Sequence, residues 1–333
     1  MARLGVVILN WNGRHHLERY LPSVVAHTTG DAEVVVADNG STDDSLAWLR
    51  INYPDVRVIR LDRNYGFAGG YNRAISEMTT EYVLLLNSDV EVTEGWWQPL
   101  VEVLDGEADV AVVAPKLLAD GQRDMFEYAG AAGGFIDYLG YPFCRGRIMS
   151  KVERDEGQYD SRRDIFWASG AAMCCRREVY EALGGLDEDF FAHMEEIDLQ
   201  WRMQLAGWRI VVEPRAVVYH LGGGTLPPSS HKIYLNHRNN LAMLYKCSSP
   251  LQRAVVAVVR PMTDMAEAFG YLMTMHPHKA WAIVRAWGRF IAWHKMLAAK
   301  RRAVVRRKKV KGIYRFSIVV RYLCGMRRFK TMI

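Results

Sequence analysis

The sequence predicts an α/β fold built on a largely parallel β-sheet. Three apolar runs of strand length, at residues 6–9, 34–37 and 82–86, each stop abruptly at an Asn or an Asp. Uninterrupted apolar runs are typical of strands that are buried on both faces, as in a parallel sheet covered by helices. Such sheets bind ligands beyond the carboxyl ends of their strands. We therefore expect Asp89, just past the third run, to meet a metal or a phosphate.

Strands and helical patterns alternate along the first hundred or so residues. Apolar runs predict strands at residues 4–9, 33–37, 56–60, 82–86 and 110–114. Helix-like spacing of apolar residues predicts helices at residues 17–26, 45–52, 68–78 and 95–104. This alternating order predicts a parallel sheet wound in the right-handed sense.

The remainder of the chain is predicted to pass from mixed structure to helices. Residues 120–164, rich in glycine, tyrosine and charge, are expected to be irregular. Further elements are expected as a strand at 165–176, helices at 177–183 and 199–206, and two short strands within 209–219 that break at Pro214. Helical patterns dominate from residue 234, and a boundary at 248–250 separates a catalytic domain, 1–247, from a basic helical extension, 248–333.

The net charge of +6 conceals a strong asymmetry. Residues 268–333 contain 17 of the 43 Lys and Arg residues and no acidic residue, so the other residues carry a net charge of −11. An acidic body and a basic tail need separate explanations. No RNA- or DNA-binding motif accompanies the tail, so we expect no nucleic-acid partner.

The cysteines and the apolar segments limit the class of protein. The five cysteines are odd in number and lack a Cys-x-x-Cys spacing, which argues against a disulfide framework or a zinc site and favours a reducing compartment. The apolar run at 4–9 is too short for a signal peptide. No stretch reaches the ~18 uncharged apolar residues that a membrane span requires.

Two segments near the predicted strand ends have alternative interpretations. Asp38 could accept hydrogen bonds from a nucleotide base, but the surrounding Asp-Asn-Gly-Ser-Thr-Asp run would also form a helix-capping turn. The glycine-rich segment 64–72 opens a helix and could approach an anion, or could serve close helix–sheet packing. It matches neither the Gly-x-Gly-x-x-Gly fingerprint nor the P-loop, so no ATPase or dinucleotide enzyme is predicted.

An acidic run and a histidine are candidates for the chemistry. Glu195, Glu196 and Asp198 lie between aromatic residues, and a carboxylate held near apolar surface has a raised pKa and is a better base. A solvated acidic turn is the alternative. His220 ends an apolar run beside the glycines at 222–224 and, with a carboxylate, would suit a divalent metal that also holds phosphate oxygens, although a lone histidine is more often structural.

Taken in order, these segments resemble glycosyltransferase family 2, the inverting nucleotide-sugar transferases of GT-A fold. The resemblance covers roughly residues 3–245 and rests on segments 7–13, 36–43, 64–72, 86–89, 169–171, 184–188, 191–202, 219–220 and 238–239. Segment 64–72 is similar to the branch that holds rhamnosyl- and galactofuranosyl-type transferases of bacterial surface polysaccharides.

The resemblance implies roles for individual residues. The nucleotide-sugar would be bound by Trp11, Asp38, Asn64, Gly66, Asn72, Asn87, Ser88 and Asp89. Asn87-Ser88-Asp89 occupies the family's Asp-x-Asp position, so Asp89 would hold Mg²⁺ or Mn²⁺ together with His220, and Asn87 is a weaker ligand than the usual Asp. Glu196 matches the family's catalytic Asp, and its extra methylene leaves Asp198 as a competing candidate for the base.

The implied function is transfer of a sugar, with inversion, from a nucleotide-diphosphate sugar to a hydroxyl of a glycan acceptor in bacterial surface polysaccharide synthesis. We expect a lipid-linked acceptor and a cytoplasmic enzyme at the inner face of the cell membrane. The alternative is a catalytically silent nucleotide-sugar-binding or scaffold protein of a glycan assembly complex.

The basic tail suggests how a membrane would be contacted. A helical wheel of residues 281–300 gathers apolar side chains on one side and basic ones on the other, and the basic clusters 300–302 and 306–309 follow. This pattern predicts a helix that lies in an anionic membrane interface. The alternative is that its apolar side packs on the catalytic domain.

Overall fold

A computed structural model describes residues 2–222, 229–308, 310 and 313–331 of the chain. Its strands are β1 Leu4–Asn10, β2 Ala32–Asp38, β3 Arg57–Arg60, β4 Tyr82–Asn87, β5 Val90–Val92, β6 Val110–Ala119, β7 Gln122–Phe126, β8 Gly134–Asp137, β9 Pro142–Cys144, β10 Arg147–Ile148, β11 Lys151–Val152, β12 Arg163–Asp164, β13 Ala172–Arg176, β14 Arg209–His220 and β15 Ile313–Tyr314. Its helices are α1 Arg14–His27, α2 Ser45–Asn52, α3 Gly66–Ser76, α4 Gln98–Gly106, α5 Arg177–Ala182, α6 Glu195–Ala206, α7 Ser230–Cys247, α8 Pro250–Met273, α9 Pro277–Ala292, α10 His294–Ala303 and α11 Ile318–Leu323.

The main sheet has ten strands and a mixed topology. Its principal order is β12-β14-β6-β13-β4-β1-β2-β3. The parallel sheet predicted from the first strands is confirmed for β3-β2-β1-β4. Strand β13, however, runs antiparallel to both of its neighbours, β4 and β6. The sheet is thus parallel on one side and mixed on the other.

Helices cover both faces of this sheet, so its central strands are buried on both faces. Val7 and Val35 belong to one hydrophobic core, whereas their neighbours Val6 and Val36 belong to the other. All four side chains are fully buried. This accounts for the continuous apolar runs, because successive residues of a strand point to opposite faces.

Two expectations for the second half of the chain are wrong. Residues 120–164, expected to be irregular, contain short strands, and β8 to β11 form a second, five-stranded sheet with β15. Segments of two to five residues are too short for a detectable period. The two strands expected within 209–219 are one continuous strand, β14, whose pairing with β6 shifts register between Glu213 and Val217, so that Pro214 lies in the irregularity.

Residues beyond the expected boundary complete the core of the preceding part. The boundary at 247/248 falls between α7 and α8, but β15 pairs in parallel with β8. Phe329 is buried and packs its ring against Phe135 and Phe143, at centroid distances of 5.0 and 6.2 Å. The C-terminal extension is therefore integrated with the catalytic part.

The prediction that residues 281–300 turn their apolar side to a membrane is wrong for most of that side. Ile283 and Leu297 are fully buried, and Trp287 donates a hydrogen bond from Nε1 to Oδ2 of Asp264 (3.0 Å). The alternative, packing on the protein, is correct here because these side chains meet α7 and α8. Lys309, part of the expected basic cluster, lies outside the described residues. No described helix has the length and apolarity needed to cross a membrane.

Candidate active site

The ends of β1 and β2 form the first part of the site. Asp38 is buried, and its two carboxylate oxygens accept hydrogen bonds from Nδ2 of Asn10 (3.2 Å) and from the backbone N–H of Ser41 (3.1 Å). The bond to Ser41 confirms the turn interpretation of this segment. A carboxylate with one bond per oxygen still has acceptor capacity, so recognition of a base by Asp38 stays a prediction. The adjacent Trp11 is 52% exposed and could stack on a base.

The glycine-rich segment serves packing. Gly66 has φ +72°, and a Cβ there would lie 2.5 Å from the ring of Phe191. A Cβ at Gly70 would lie 2.7 Å from Leu9. The backbone N–H of Phe67 donates to the carbonyl of Phe191 (2.7 Å), so this amide in the first turn of α3 is occupied by the protein itself. The packing interpretation of residues 64–72 is therefore confirmed.

The two asparagines of this segment also make internal hydrogen bonds. Oδ1 of Asn64 accepts from the backbone N–H of Gly66 (2.8 Å). Asn72 donates to the carbonyl of Leu186 (2.9 Å) and accepts from the hydroxyl of Tyr180 (2.7 Å). Contacts of Asn64, Gly66 and Asn72 with a nucleotide-sugar stay predictions, and the observed bonds give all three a structural role.

Asp89 and His220 lie together beyond the end of β4. Strand β5, which follows Asp89, pairs with the end of β14, so that Val90 lies opposite His220. The Nε2 atom of His220 is 3.2 Å from Oδ1 of Asp89 and 3.4 Å from Nδ2 of Asn87. Ser88, between the two candidate ligands, is partly buried. The expected convergence of the Asn-Ser-Asp segment and His220 is thus present.

A second carboxylate, which the sequence did not indicate, lies on the other side of the imidazole. Oε1 of Glu127 is 3.4 Å from Nδ1 of His220. Burial lowers the pKa of His220, but the carboxylates of Asp89 and Glu127 outweigh it and raise that pKa to about 10. Burial also raises the pKa of Asp89, and the interaction with His220 more than offsets this, so the net shift is downward. In this arrangement an imidazolium bridges two carboxylates.

The residues present fit a divalent cation. Oδ1 of Asp89 and Nδ1 of His220 are buried, and among the described residues each has an ion-pair contact but no well-aligned hydrogen bond. Carboxylate oxygen and imidazole nitrogen suit Mg²⁺ less well than Mn²⁺, but either ion accepts a carboxylate together with phosphate oxygens. Over the described ranges, no group of three or more His, Cys, Asp or Glu side chains is placed to hold a metal. Gly223 and Gly224, part of the glycine run after His220, lie outside those ranges.

The acidic run forms the first turn of α6, where its members have different surroundings. Burial raises the pKa of Glu196 to about 7, and its Oε2 atom has no hydrogen-bond partner among the described residues. Burial also raises the pKa of Glu195 well above its usual value. The solvated acidic turn is therefore not what the structure shows.

Asp198 does not fit the role of a base. Its side chain is fully buried and forms ion pairs with Arg202 and Lys246, each at 2.9 Å. A fully buried carboxylate that is engaged by two cations has no access to an acceptor hydroxyl. These ion pairs give Asp198 a structural role, and Glu196 is the candidate base of the pair that the geometry favours.

The loop that leads into α6 is strained and is held by α7. Phe191, His193 and Met194 have φ values of 65°, 70° and 71°, which non-glycine residues rarely adopt. Nδ2 of Asn239 donates to the carbonyls of Phe190 (3.0 Å), Ala192 (2.8 Å) and His193 (2.8 Å). Strain of this kind persists only where neighbouring structure enforces it, and it is common at active sites.

Residues 169–171 connect the two halves of the site. The carbonyl of Ala171 accepts a hydrogen bond from the backbone N–H of Asn87 (2.9 Å). A Cβ on Gly170 would lie 3.9 Å from Cβ of Glu196. The candidate base and the candidate metal ligands therefore flank one short segment.

Named relatives of the chain are sugar transferases. The N-acetylglucosaminyl-diphospho-decaprenol L-rhamnosyltransferase of Mycobacterium tuberculosis is 29% identical over 259 residues, which cover 72% of this chain and 83% of that protein. The low-salt glycan biosynthesis hexosyltransferase Agl10 of Haloferax volcanii is 25% identical over 244 residues, which cover 71% of this chain and 73% of that protein.

Solved structures and a family model agree with this likeness. GalNAc-T7 with UDP, GalNAc and Mn²⁺ has a TM-score of 0.62 at 18% identity, over 78% of this chain and 51% of that one. TarS 1-349 of S. aureus has a TM-score of 0.57 at 16% identity, over 90% and 83%. These similarities confirm the GT-A fold. The model of the family Glycosyl transferase family 2 matches residues 5–184, more than half of the chain, and the chain therefore belongs to that family.

Proposed function

We propose that this glycosyltransferase moves a sugar from a nucleotide-diphosphate donor to a hydroxyl of a lipid-linked glycan, with inversion at the anomeric carbon. The observation that carries the proposal is the buried carboxyl of Glu196, whose pKa is near neutrality and whose Oε2 has no partner among the described residues. The name of the mycobacterial relative specifies a diphospho-decaprenol acceptor and L-rhamnose, which supports this acceptor class and a deoxyhexose donor.

Glu196 would act as the general base. Its pKa of about 7 leaves a large fraction ionised at neutral pH and makes the carboxylate a stronger proton acceptor than an exposed glutamate. As the acceptor oxygen attacks the anomeric carbon, Glu196 takes the hydroxyl proton. The bond from that carbon to the diphosphate oxygen breaks, and the nucleoside diphosphate leaves with the bonding electrons.

Asp89 and His220 would hold Mg²⁺ or Mn²⁺ at the donor's diphosphate. A divalent cation there would neutralise the charge that develops on the leaving group. To ligate it, His220 must release the proton that Asp89 and Glu127 now stabilise. The GalNAc-T7 structure, which has a similar fold, contains Mn²⁺ together with UDP, and this supports a divalent metal in the proposed reaction.

The nucleotide would lie at the ends of β1 and β2. Asp38 has acceptor capacity for a base N–H, and the half-exposed indole of Trp11 offers a stacking surface beside it. A lipid-linked acceptor would place the enzyme at the inner face of the cell membrane. No feature of the described residues favours a nucleic-acid partner.

The test is a transfer assay with a polyprenyl-diphospho-N-acetylglucosamine acceptor and a panel of nucleotide-sugars that includes a nucleotide-rhamnose. The expected result is a glycosylated lipid with one donor, and loss of that product in Glu196→Gln. Glu102→Gln serves as the matched control, because Glu102 is exposed and pairs only with Arg215 at the surface (3.0 Å). Donor binding without product from any acceptor would favour the catalytically silent alternative.

A further inference from the structure

Helix α8 buries charged residues and exposes apolar ones, which is the reverse of an ordinary surface helix. Its buried side carries charge: Arg260 is 2% exposed and Asp264 is 0% exposed. The two side chains form an ion pair (3.1 Å), and Arg260 also donates to Oδ1 of Asn240 (2.7 Å) and to the carbonyl of Leu139 (2.9 Å). The polar residues of this helix are thus satisfied by the protein interior, and its apolar residues are left for the outside.

The outward side of α8 is an apolar stripe. Its large side chains recur at helical spacing and are 42–72% exposed: Leu251, Val258, Met262, Met265, Phe269 and Leu272. Glu267 is the one exposed charged residue between positions 254 and 275. A helix of 24 residues is about 36 Å long. The stripe is therefore far more extensive than the scattered apolar residues of an ordinary surface.

Helix α9 widens the stripe into a surface. Trp281 and Val284, which are 61% and 42% exposed, line an open groove with Met265, Phe269 and Leu272 of α8. All residues that line this groove are apolar. We call the exposed apolar residues of the two helices the α8–α9 face. It uses the opposite side of α9 from Ile283, which is buried.

The basic residues beside the α8–α9 face indicate which kind of partner covers it. Arg285 and Arg289 are exposed on α9 and Lys295 is exposed on α10. They belong to the segment 268–333, which has 17 basic and no acidic residues. A second copy of this chain on the same face would bring two such segments together and be repelled. An anionic bilayer takes up the apolar stripe and attracts the basic residues beside it.

We propose that the α8–α9 face is a membrane-binding surface that lies in the interface of an anionic bilayer. The face connects to the site through α7. Arg260 of α8 bonds to Asn240, and the adjacent Asn239 holds the strained loop that precedes Glu196. An enzyme seated in this way would have its base loop one helix away from the lipid surface, as a lipid-linked acceptor requires. In this respect the inference deepens the proposed function.

The test is flotation of the full chain with vesicles of phosphatidylcholine that contain phosphatidylglycerol. Wild type should bind, and Met262→Glu and Phe269→Glu should each weaken vesicle affinity about tenfold or more, because one large apolar side chain contributes at least that factor. Ile51→Glu is the matched control, since Ile51 is 78% exposed but lies on α2. The substituted side chains are exposed, so thermal melting should confirm that all three variants fold.

Two results would overturn the proposal. One is wild-type-like flotation of both α8 variants. The other is a wild-type protein that does not float but forms a dimer that Phe269→Glu dissociates, which would assign the face to a second copy. Neither experiment uses a nucleotide-sugar. A negative result here therefore does not bear on the transfer reaction, which is tested separately with detergent-solubilised acceptor.

Discussion

Replacing Glu196 by glutamine removes the proposed base and leaves its shape. The expected fall in kcat is about 10²–10⁴-fold, with donor affinity largely retained, since a general base acts in the transition state. The wild-type pKa of about 7 also predicts the pH profile. Below pH 7 the wild-type rate should decrease tenfold per pH unit, and the residual rate of the variant should lack this dependence.

The free energy of unfolding is a second measurement that tests the same substitution. Its dependence on pH should be opposite to that of the transfer rate. Burial raises the pKa of Glu196 from 4.5 to about 7, so the folded state holds this proton more tightly than the unfolded state. The resulting stabilisation is fully present below pH 4.5 and is lost as the pH rises through 7. Its upper bound is about 3 kcal/mol, at 1.36 kcal/mol per pKa unit. Glu196→Gln should therefore lose less stability than wild type between pH 5 and 8.

The two assays are a pH series of single-turnover transfer and urea unfolding at the same pH values. A variant with near-normal turnover would refute the assignment of Glu196 as base. The same conclusion would follow if Asp198→Asn lost all activity at unchanged stability.

Four further predictions concern the surroundings of the base and the metal site. Asp198→Asn should lower the free energy of unfolding by about 1.5–3 kcal/mol, because Arg202 and Lys246 lose a buried carboxylate that they share, while Lys246 keeps its ion pair with Asp187. A urea titration that shows less than about 1 kcal/mol would contradict this. Asp89→Asn should weaken Mn²⁺ binding in the presence of a nucleoside diphosphate by about 10-fold or more, as measured by calorimetry. In wild type that affinity should rise with pH up to about 10, since the metal competes with the proton on His220. Asn239→Ala should speed amide exchange at residues 190–194, because the hydrogen bonds from Nδ2 of Asn239 to the carbonyls of that loop are lost. Equal exchange in both proteins would show that Asn239 does not hold the loop in place.

The strand ends of the site could be predicted because burial leaves a clear record in the sequence. The strands that are covered on both faces run through uninterrupted apolar residues up to the ligand edge, so Asn10, Asp38 and Asn87 mark where β1, β2 and β4 end. The sequence of a strand does not show whether it runs parallel or antiparallel to its neighbours. An apolar run at β13 reads the same in either direction, and its antiparallel pairing was therefore not predicted.

Some contacts between distant segments could not be predicted from local patterns. Glu127 follows the short strand β7 in a stretch without a period, and no local pattern links it to His220. Glu196 and Asp198 differ by two positions in one acidic run, and their roles separate because the helix turns one toward Gly170 and the other toward Lys246. The sequence left that choice open for this reason.

The pairing of β15 with β8 has a consequence for biosynthesis. The backbone N–H of Ile318 donates to Oδ2 of the buried Asp137 (3.0 Å) across a separation of 181 residues, and Phe329 fills the adjoining aromatic cluster. As the chain emerges from the ribosome, β1 to β4 can associate early, because they are close in sequence. The small sheet cannot be completed until β15, at Ile313–Tyr314, has been synthesised. A chain that lacks β15 and Phe329 would leave Phe135 and Phe143 without these packing partners and open to chaperones and proteases.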